Sequence, residues 1–259
     1  MKKNRPTILV VNDDGIDAPG IHALIRVVQE LGDVVVVAPD GPQSGMGHAI
    51  TIAKPLRLDK VELYEGVEMY KSSGTPVDCV KLAVNQVFKG RKPDLCVSGI
   101  NHGLNHSINV IYSGTMSAAV EGAIEGIPSI GFSLDNFTYK ANFSTCLPFV
   151  RAVAEQVLEH GLPAGTLLNV NFPNGEIKGI KICRQANAKY AEEFDERLDP
   201  HNRSYYWLTG VFQNNDNGED TDVWALSQKY ASVVPIQFDL TAHHMIPTLN
   251  SWRFNVEKR

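Results

Sequence analysis

The amino-terminal part of the chain carries the segment TILVVNDDGIDAPG at residues 7–20. Its first five residues are β-branched or aliphatic with no polar residue between them, which predicts a strand buried on both faces. The run ends abruptly at Asn12, Asp13, Asp14 and Gly15. Two adjacent carboxylates at the end of a buried strand repel each other and resist desolvation, so they favour a compensating divalent cation such as Mg²⁺ or Mn²⁺. A plain turn with solvated carboxylates is the alternative.

The following residues extend this segment into a strand–helix–strand unit. Apolar residues recur at helical spacing from Ile21 to Leu31, and a second apolar strand, DVVVVAP, occupies residues 33–39. Two buried strands joined by a helix predict a right-handed crossover and a parallel sheet. Ligands of such sheets bind at the carboxyl ends of the strands, which is where Asp13 and Asp14 fall.

A glycine-rich loop, DGPQSGMGH at residues 40–48, follows the second strand. A flexible connection is one interpretation of this loop. The other is that Ser44 supplies a hydroxyl ligand to a cation held by the two aspartates.

Further along, Thr75 and Pro76 predict the start of a helix that reaches about residue 88, and capping of that helix explains Asp78 without a catalytic role.

A second group of polar residues occurs between residues 93 and 115. Another buried strand ends at Asn101, and the tripeptide Ser113-Gly114-Thr115 stands directly before a predicted helix at 116–125. Hydroxyls and free N–H groups at a helix start form an anion site that suits a phosphate. An ordinary helix cap is the alternative.

These pieces predict one site at the edge of a sheet. Two carboxylates, a hydroxyl and an amide oxygen would meet one cation from three strand ends, with a phosphate site beside them. That combination is what phosphoryl hydrolysis requires. The expected fold is α/β, a Rossmann-like three-layer arrangement with a parallel sheet and helices on both faces, extended by a carboxyl-terminal arm or hairpin.

Composition restricts the class of protein. The chain has 259 residues, of which 43% are hydrophobic and 20% charged, as in ordinary globular proteins. A net charge of -5 provides no basic field for a nucleic-acid polymer, and no apolar run is long enough to cross a membrane. The four cysteines lack paired spacing, so we expect reduced thiols in a cytoplasmic protein rather than a zinc site.

The polar segment from residue 187 to 218 differs from the rest of the chain. It is rich in asparagine and carries Tyr205, Tyr206 and Trp207 at its centre. We interpret it as an arm whose aromatic residues contact another subunit, the alternative being a loop folded on its own domain. The expected organisation is a catalytic core at 1–186 and an arm and carboxyl-terminal segment at 187–259, within one domain overall.

Seven segments resemble the SurE family of metal-dependent 5'-nucleotidases, or nucleoside monophosphate phosphatases. NDDG, GIN and YSGT at these separations form a far more specific signature than any one of them alone, and the likeness extends over nearly the whole chain. The segments are NDDGIDAPGI (12–21), APDGPQSG (38–45), GTPVDCV (74–80), PDLCVSGIN (93–101), YSGTMSAAVEG (112–122), IPSIGFSLD (127–135) and TDVWALSQKYASVVPIQFDLT (221–241).

The resemblance implies one divalent cation per subunit, Mg²⁺ or Mn²⁺, and a homodimer or homotetramer with exchanged carboxyl-terminal segments. The metal ligands it implies are Asp13, Asp14, Ser44 and Asn101. The phosphate-binding residues it implies are Asn101, Ser113, Gly114 and Thr115. Together these assign the catalytic role to Asp13, Asp14 and Asn101.

One departure from the family pattern lies after the GIN motif. Many members carry an acidic pair where this chain has Ile108 and Asn109, which affects substrate preference or the surroundings of the site rather than the metal ligands. His102 and His106 add titratable groups nearby, and we expect a surface role for both rather than catalysis.

The predicted activity is hydrolysis of nucleoside 5'-monophosphates to nucleoside and phosphate, with water as the preferred nucleophile and an aspartyl phosphoenzyme as the rival mechanism. 3'-Nucleotides and polyphosphate are further candidate substrates, and the motifs carry no information on base or sugar preference. A Ca²⁺-dependent nucleoside hydrolase and a non-catalytic nucleotide-binding regulator are the alternative functions.

Overall fold

The computed structural model describes residues 5–254, so the outermost ends of the two expected units, 1–4 and 255–259, lie outside it. The strands are β1 Thr7–Val11, β2 Asp33–Pro39, β3 Leu58–Val61, β4 Glu68–Ser72, β5 Leu95–His102, β6 Ser129–Leu134, β7 Thr166–Phe172, β8 Ile180–Ile182, β9 Ala188–Ala191, β10 Phe194–Leu198, β11 Ser204–Leu208, β12 Val211–Asn214 and β13 Ala231–Gln237. The helices are α1 Pro19–Val28, α2 Pro76–Leu82, α3 Gly114–Ile124, α4 Leu147–His160, α5 Asp222–Ser227 and α6 Ile246–Asn250.

Nine strands form one mostly parallel sheet in the order β3-β4-β2-β1-β5-β6-β7-β13-β8. The strand β1 pairs in parallel with β2 on one side and with β5 on the other. Antiparallel pairing is confined to β3 with β4 and β13 with β7 within this sheet. The α/β prediction is confirmed.

Alternate residues of β1 pack into opposite layers, which is why its sequence shows no polar positions. Ile8 and Val10 belong to a core shared with α1 and α4. Leu9 and Val11 belong to a core shared with α2 and α3. The predicted three-layer arrangement follows from this division, because both faces of the central strand are covered by helices.

The chain reverses direction across the sheet between β1 and β5. From β1 it proceeds to β2 on one side, and after β4 and α2 it returns to place β5 on the other side of β1. The loops after β1 and β5 therefore diverge from a crevice at the carboxyl edge, the place where open α/β sheets bind ligands. Asp13 and Asp14 follow β1, and Asn101 lies near the end of β5.

The strand β3 pairs antiparallel with β4, and β4 lies parallel to β2 and widens the main sheet. One helix differs from the sequence-based expectation. The helix expected to reach residue 88 is α-helical only to Leu82 and continues as a π-helical turn, Ala83–Val87. Its capping by Thr75 and Asp78 is as predicted.

The expected arm is present as two antiparallel ribbons, β10 with β11 and β9 with β12. Large apolar side chains of the first ribbon are exposed, among them Phe194, Trp207 and Leu208. None of the helices within residues 5–254 is both long and apolar enough to span a membrane.

We expect Gly20→Ala to destabilise the fold, because a Cβ atom at Gly20 would lie 2.0 Å from the carbonyl oxygen of Ile100. The better helix propensity of alanine contributes only about 1 kcal/mol. Overpacking against backbone costs about 1–3 kcal/mol or more, so the clash outweighs that gain. Urea unfolding at fixed protein concentration measures the loss, and Gly41→Ala, where a Cβ meets nothing within 4 Å, is the control. Equal stability of the two variants would contradict the close packing of α1 on β5.

Candidate active site

Asp13 lies at the point where β1 meets the start of α3. Its side chain is buried, with the residue only 5% exposed, and its Oδ1 accepts a hydrogen bond from the Thr115 hydroxyl at 2.5 Å. A Cβ atom on Gly114 would lie 2.7 Å from the Cβ of Asp13, so only glycine allows this approach. The first turn of α3, with its positive dipole end, therefore packs directly on the carboxylate.

Burial dominates the electrostatics of this carboxyl. Desolvation raises the pKa of Asp13 from its ordinary 3.8 to about 6, and the neighbouring Asp14 charge adds to the rise. The hydrogen bond from Thr115 acts in the opposite direction without cancelling it. An ionised Asp13 is thus unfavourable in the metal-free protein, and a bound cation would relieve that cost.

Asp14 faces the end of β5. Its Oδ2 lies 2.9 Å from Nδ1 of His102 and 3.3 Å from the backbone nitrogen of the same residue. The preceding residue, Asn101, donates from Nδ2 to the carbonyl of Gly103 at 2.8 Å, which fixes its amide and leaves Oδ1 as the side-chain acceptor. The ends of β1 and β5 are thereby joined through side chains.

The Ser44 loop crosses the same edge. The N–H of Gln43 donates to the carbonyl of Asp13 at 2.7 Å, and the N–H of Gly47 donates to the carbonyl of Tyr112 at 3.2 Å. Ser44 is exposed between these two anchors. The loop therefore lies between the acidic pair and the segment before α3, as the hypothesis for Ser44 requires.

A cluster of polar side chains around the buried Glu121 anchors the far end of this loop. Glu121 of α3 is 2% exposed and contacts Nε2 of His48 at 2.9 Å and Nζ of Lys81 at 2.6 Å. Although burial raises the pKa of Glu121, the hydrogen bonds from His48 and Lys81 outweigh it and hold the pKa below its usual range. The cluster ties the loop to α2 and α3, and no local sequence pattern indicated it.

The predicted phosphate-binding residues Ser113, Gly114 and Thr115 lie at the start of α3. Ser113 caps α3, with its Oγ accepting from the N–H of Met116 at 3.0 Å. Thr115 is fully buried and its hydroxyl is committed to Asp13. The Thr115 hydroxyl is thus directed at Asp13, and the assignment of Thr115 to phosphate binding stays a prediction.

The loop after β5 rests on a buried amide network. The backbone N–H of Asn105 donates to Oδ1 of Asn171, and its carbonyl accepts from Nδ2 of Asn169, each at 2.8 Å. The Asn105 side chain donates to Ser133 Oγ at 2.8 Å. These contacts hold a segment without regular secondary structure, and the asparagines of β7 gave no sign of this role in the sequence.

The donor chemistry fits a hard divalent cation. Asp13 and Asp14 each have one oxygen committed to a protein donor, which leaves the second as a candidate ligand. Within residues 5–254 no group of three or more His, Cys, Asp and Glu residues is arranged to hold a metal. The predicted set of two carboxylates with neutral oxygens from Ser44 and Asn101 is of the kind that hard divalent cations prefer.

Fold and site together define an α/β protein with an acidic pair at the switch point of its sheet, one member of which packs on a helix amino terminus. The family model described as "Survival protein SurE" matches residues 8–192. A 5'-nucleotidase SurE from Flavobacterium johnsoniae is 62% identical over 98% of this chain and 100% of its own length. One from Phocaeicola vulgatus is 49% identical over 99% of this chain and 100% of its own length.

A solved structure agrees with these relatives. The crystal structure of the SurE protein from Aquifex aeolicus superposes with a TM-score of 0.82 and 40% identity, covering 95% of this chain and 98% of that one. The chain belongs to the SurE family, as its motifs indicated.

The structure brings most of the predicted site residues into one region. Asp13, Gly114 and Thr115 are in direct contact, and Asp14 contacts the residue after Asn101. The expected surface role is wrong for His102, whose side chain is 12% exposed and lies against Asp14. His106 is also largely covered and stacks on Phe212 of β12 with ring centroids 4.9 Å apart.

The Asp13 carboxyl should make stability depend on pH in a predictable direction. Its folded pKa of about 6 exceeds the ordinary 3.8, so the native state binds the proton more tightly between those values. The resulting penalty is present in full above pH 6 and disappears as the pH falls towards 4; it amounts to about 3 kcal/mol at most.

In EDTA, the stability of wild type relative to Asp13→Asn should therefore rise as the pH falls from 8 to 4, by up to about 3 kcal/mol. Urea unfolding of both proteins across this range measures the difference, in which other titrating groups cancel. An effect of the asparagine amide that does not depend on pH would shift the difference in free energy of unfolding by a constant. It would leave the pH dependence of that difference unchanged. A difference independent of pH would show that Asp13 is not desolvated.

Proposed function

We propose that this chain is a metal-dependent 5'-nucleotidase that converts nucleoside 5'-monophosphates to nucleoside and inorganic phosphate. The observation that carries the proposal is the packing of the buried Asp13 carboxylate on the first turn of α3. A cation site and an anion site lie side by side there, as a phosphate ester bound to a metal requires. The relatives from Flavobacterium johnsoniae and Phocaeicola vulgatus carry the name 5'-nucleotidase.

In this proposal one Mg²⁺ or Mn²⁺ ion per subunit is held by the residues Asp13, Asp14, Ser44 and Asn101. When bound, such an ion neutralises charge on the phosphate and promotes attack by water. Thr115 contributes by holding Asp13 in place. The Gln43–Asp13 backbone bond keeps the Ser44 loop against the site.

The phosphate is proposed to lie at the amino terminus of α3. The N–H group of Gly114 is among the first of the helix, which have no carbonyl partner within it. The Ser113 oxygen accepts from Met116, so its own proton is available to a phosphate oxygen. Asn101 is the residue shared between the cation and the phosphate. Together with the helix dipole these groups orient the ester and stabilise its charge during hydrolysis.

The activity is tested by incubating nucleoside 5'-monophosphates with the protein and Mn²⁺ or Mg²⁺. We expect inorganic phosphate and nucleoside, loss of turnover in EDTA, and recovery when the metal is restored. Release of free base without phosphate would identify a nucleoside hydrolase instead. Binding without any product would identify a regulator. Labelled phosphate trapped on the protein would favour an aspartyl nucleophile over water.

Asp13→Asn should lower kcat by about 10²-fold or more, because it removes a charged metal ligand at the centre of the site. The matched control is Asp94→Asn at the opposite end of β5, where the carboxylate accepts a hydrogen bond from the backbone N–H of Thr7. Steady-state phosphate release measures both. Unchanged turnover in Asp13→Asn would refute the proposed role of the acidic pair.

We propose that the arm and carboxyl-terminal segment, residues 187–259, join subunits into a dimer or tetramer with exchanged carboxyl-terminal segments. Residues 1–186 form the catalytic core in this proposal. Exposed apolar residues of β10, β11 and the carboxyl-terminal segment support it, Trp207 being 58% and Leu240 94% exposed. A cytoplasmic location is proposed as well, because all four cysteines are buried free thiols.

Trp207→Asp should reduce the molar mass measured by light scattering after gel filtration, since a charge would be buried in the proposed contact. Leu63→Asp is the control, because Leu63 is exposed beyond β3 at the opposite edge of the sheet. Equal masses for wild type and Trp207→Asp, at concentrations down to the micromolar range, would place the arm outside the interface.

A further inference from the structure

His102 is the last residue of β5 and the one that contacts the acidic pair from across the crevice. Its Nδ1 lies 2.9 Å from Asp14 Oδ2, closer than its backbone nitrogen at 3.3 Å. The side chains of His102 and Asp14 are 12% and 20% exposed, so the contact is largely shielded from solvent. The pair links two strand ends 88 residues apart in the chain.

The surroundings of the ring determine which nitrogen carries the proton. Nε2 is buried and has no hydrogen-bond partner among residues 5–254. The ring of Phe143 packs edge-on against the imidazole, with centroids 5.2 Å apart and an 85° angle between planes. A proton on Nε2 would be buried without an acceptor, whereas a proton on Nδ1 is donated to Asp14. The environment therefore favours the tautomer that is protonated on Nδ1.

We propose that His102 is a positioning residue that holds Asp14 Oδ2 and thereby presents Oδ1 to the divalent cation. The inference rests on the proposed metal-dependent function. A hydrogen-bonded partner of a metal-ligating carboxylate fixes the orientation of that ligand before the ion binds. The proposal gives this role to His102.

The geometry around His102 supports such a role. Asn101, the neighbouring ligand, precedes it in the chain, so one short segment sets the positions of two ligands from different strands. Three residues later, the backbone of Asn105 is held by Asn171 and Asn169. These hydrogen bonds hold the segment in place, and movement of the imidazole relative to Asp14 is restricted.

Three substitutions separate positioning from simple packing. His102→Asn places an amide N–H close to where Nδ1 stands, so it should preserve the bond to Asp14. His102→Gln extends its amide towards the buried Nε2 position, and His102→Leu removes the donor altogether. His160→Leu, at the exposed end of α4, is the control.

The primary measurement is Mn²⁺ affinity by isothermal titration calorimetry without substrate. We expect the Kd to rise about 10- to 100-fold in the Leu and Gln variants, to stay within about threefold of wild type in Asn, and to be unchanged in His160→Leu. In activity assays the Leu variant should need more Mn²⁺ for half-maximal rate but approach the wild-type kcat at saturating metal. Packing alone would rank the melting temperatures of the variants in EDTA by side-chain size. We therefore expect these melting temperatures to follow a different order from the Mn²⁺ Kd values.

An unchanged Kd in both Leu and Gln, or an Asn variant as weak as Leu, would overturn the role of His102. A wild-type protein that binds Mn²⁺ and hydrolyses nucleotides would leave the proposed function standing in that case. A wild-type protein without Mn²⁺ binding would overturn both proposals together.

Discussion

The desolvation of Asp13 is the constraint around which the site is arranged. A carboxylate at the end of an all-apolar strand loses its water, and the Thr115 hydroxyl and the positive end of α3 replace that hydration in part. These groups do not restore an ordinary pKa, and Asp14 makes the imbalance worse. In the proposed metal-bound state a cation would offset this cost, which is how the proposal accounts for the unfavourable charge on Asp13.

The sheet topology makes this possible by bringing distant strand ends together. Because β1 lies between β2 and β5, the residues after β1 are flanked by the Ser44 loop on one side and by Asn101 and His102 on the other. These connections have little regular secondary structure of their own. Buried polar side chains hold them instead: Glu121 through His48 on one side, and Asn169 and Asn171 through Asn105 on the other. Such networks specify loop positions that hydrophobic packing alone would leave undetermined.

Local sequence patterns predicted the strands and helix caps that depend mainly on neighbouring residues. The strands at 7–11 and 33–39 follow from unbroken apolar runs, and the caps at Thr75 and Ser113 follow from side chains that satisfy free N–H groups. Family resemblance added the set of ligands. What the sequence did not indicate is which polar groups meet across the chain. The Thr115–Asp13 pair spans 102 residues and His48–Glu121 spans 73, and both depend on strand register and loop path. The surface role expected for His102 was wrong for the same reason, since a polar residue in a glycine-rich segment gives no sign of its partner.

The replacement of the common acidic pair by Ile108 and Asn109 is understandable in these terms. Asn109 closes its own turn, with its N–H donating to the carbonyl of His106 at 3.1 Å and its amide 3.4 Å from the His106 ring. A neutral amide serves this turn without adding a negative charge. In the proposed site, the charge that attracts a cation comes from Asp13 and Asp14. The departure therefore leaves the acidic pair itself unchanged, and the His106 ring that Asn109 contacts stacks on Phe212 of β12.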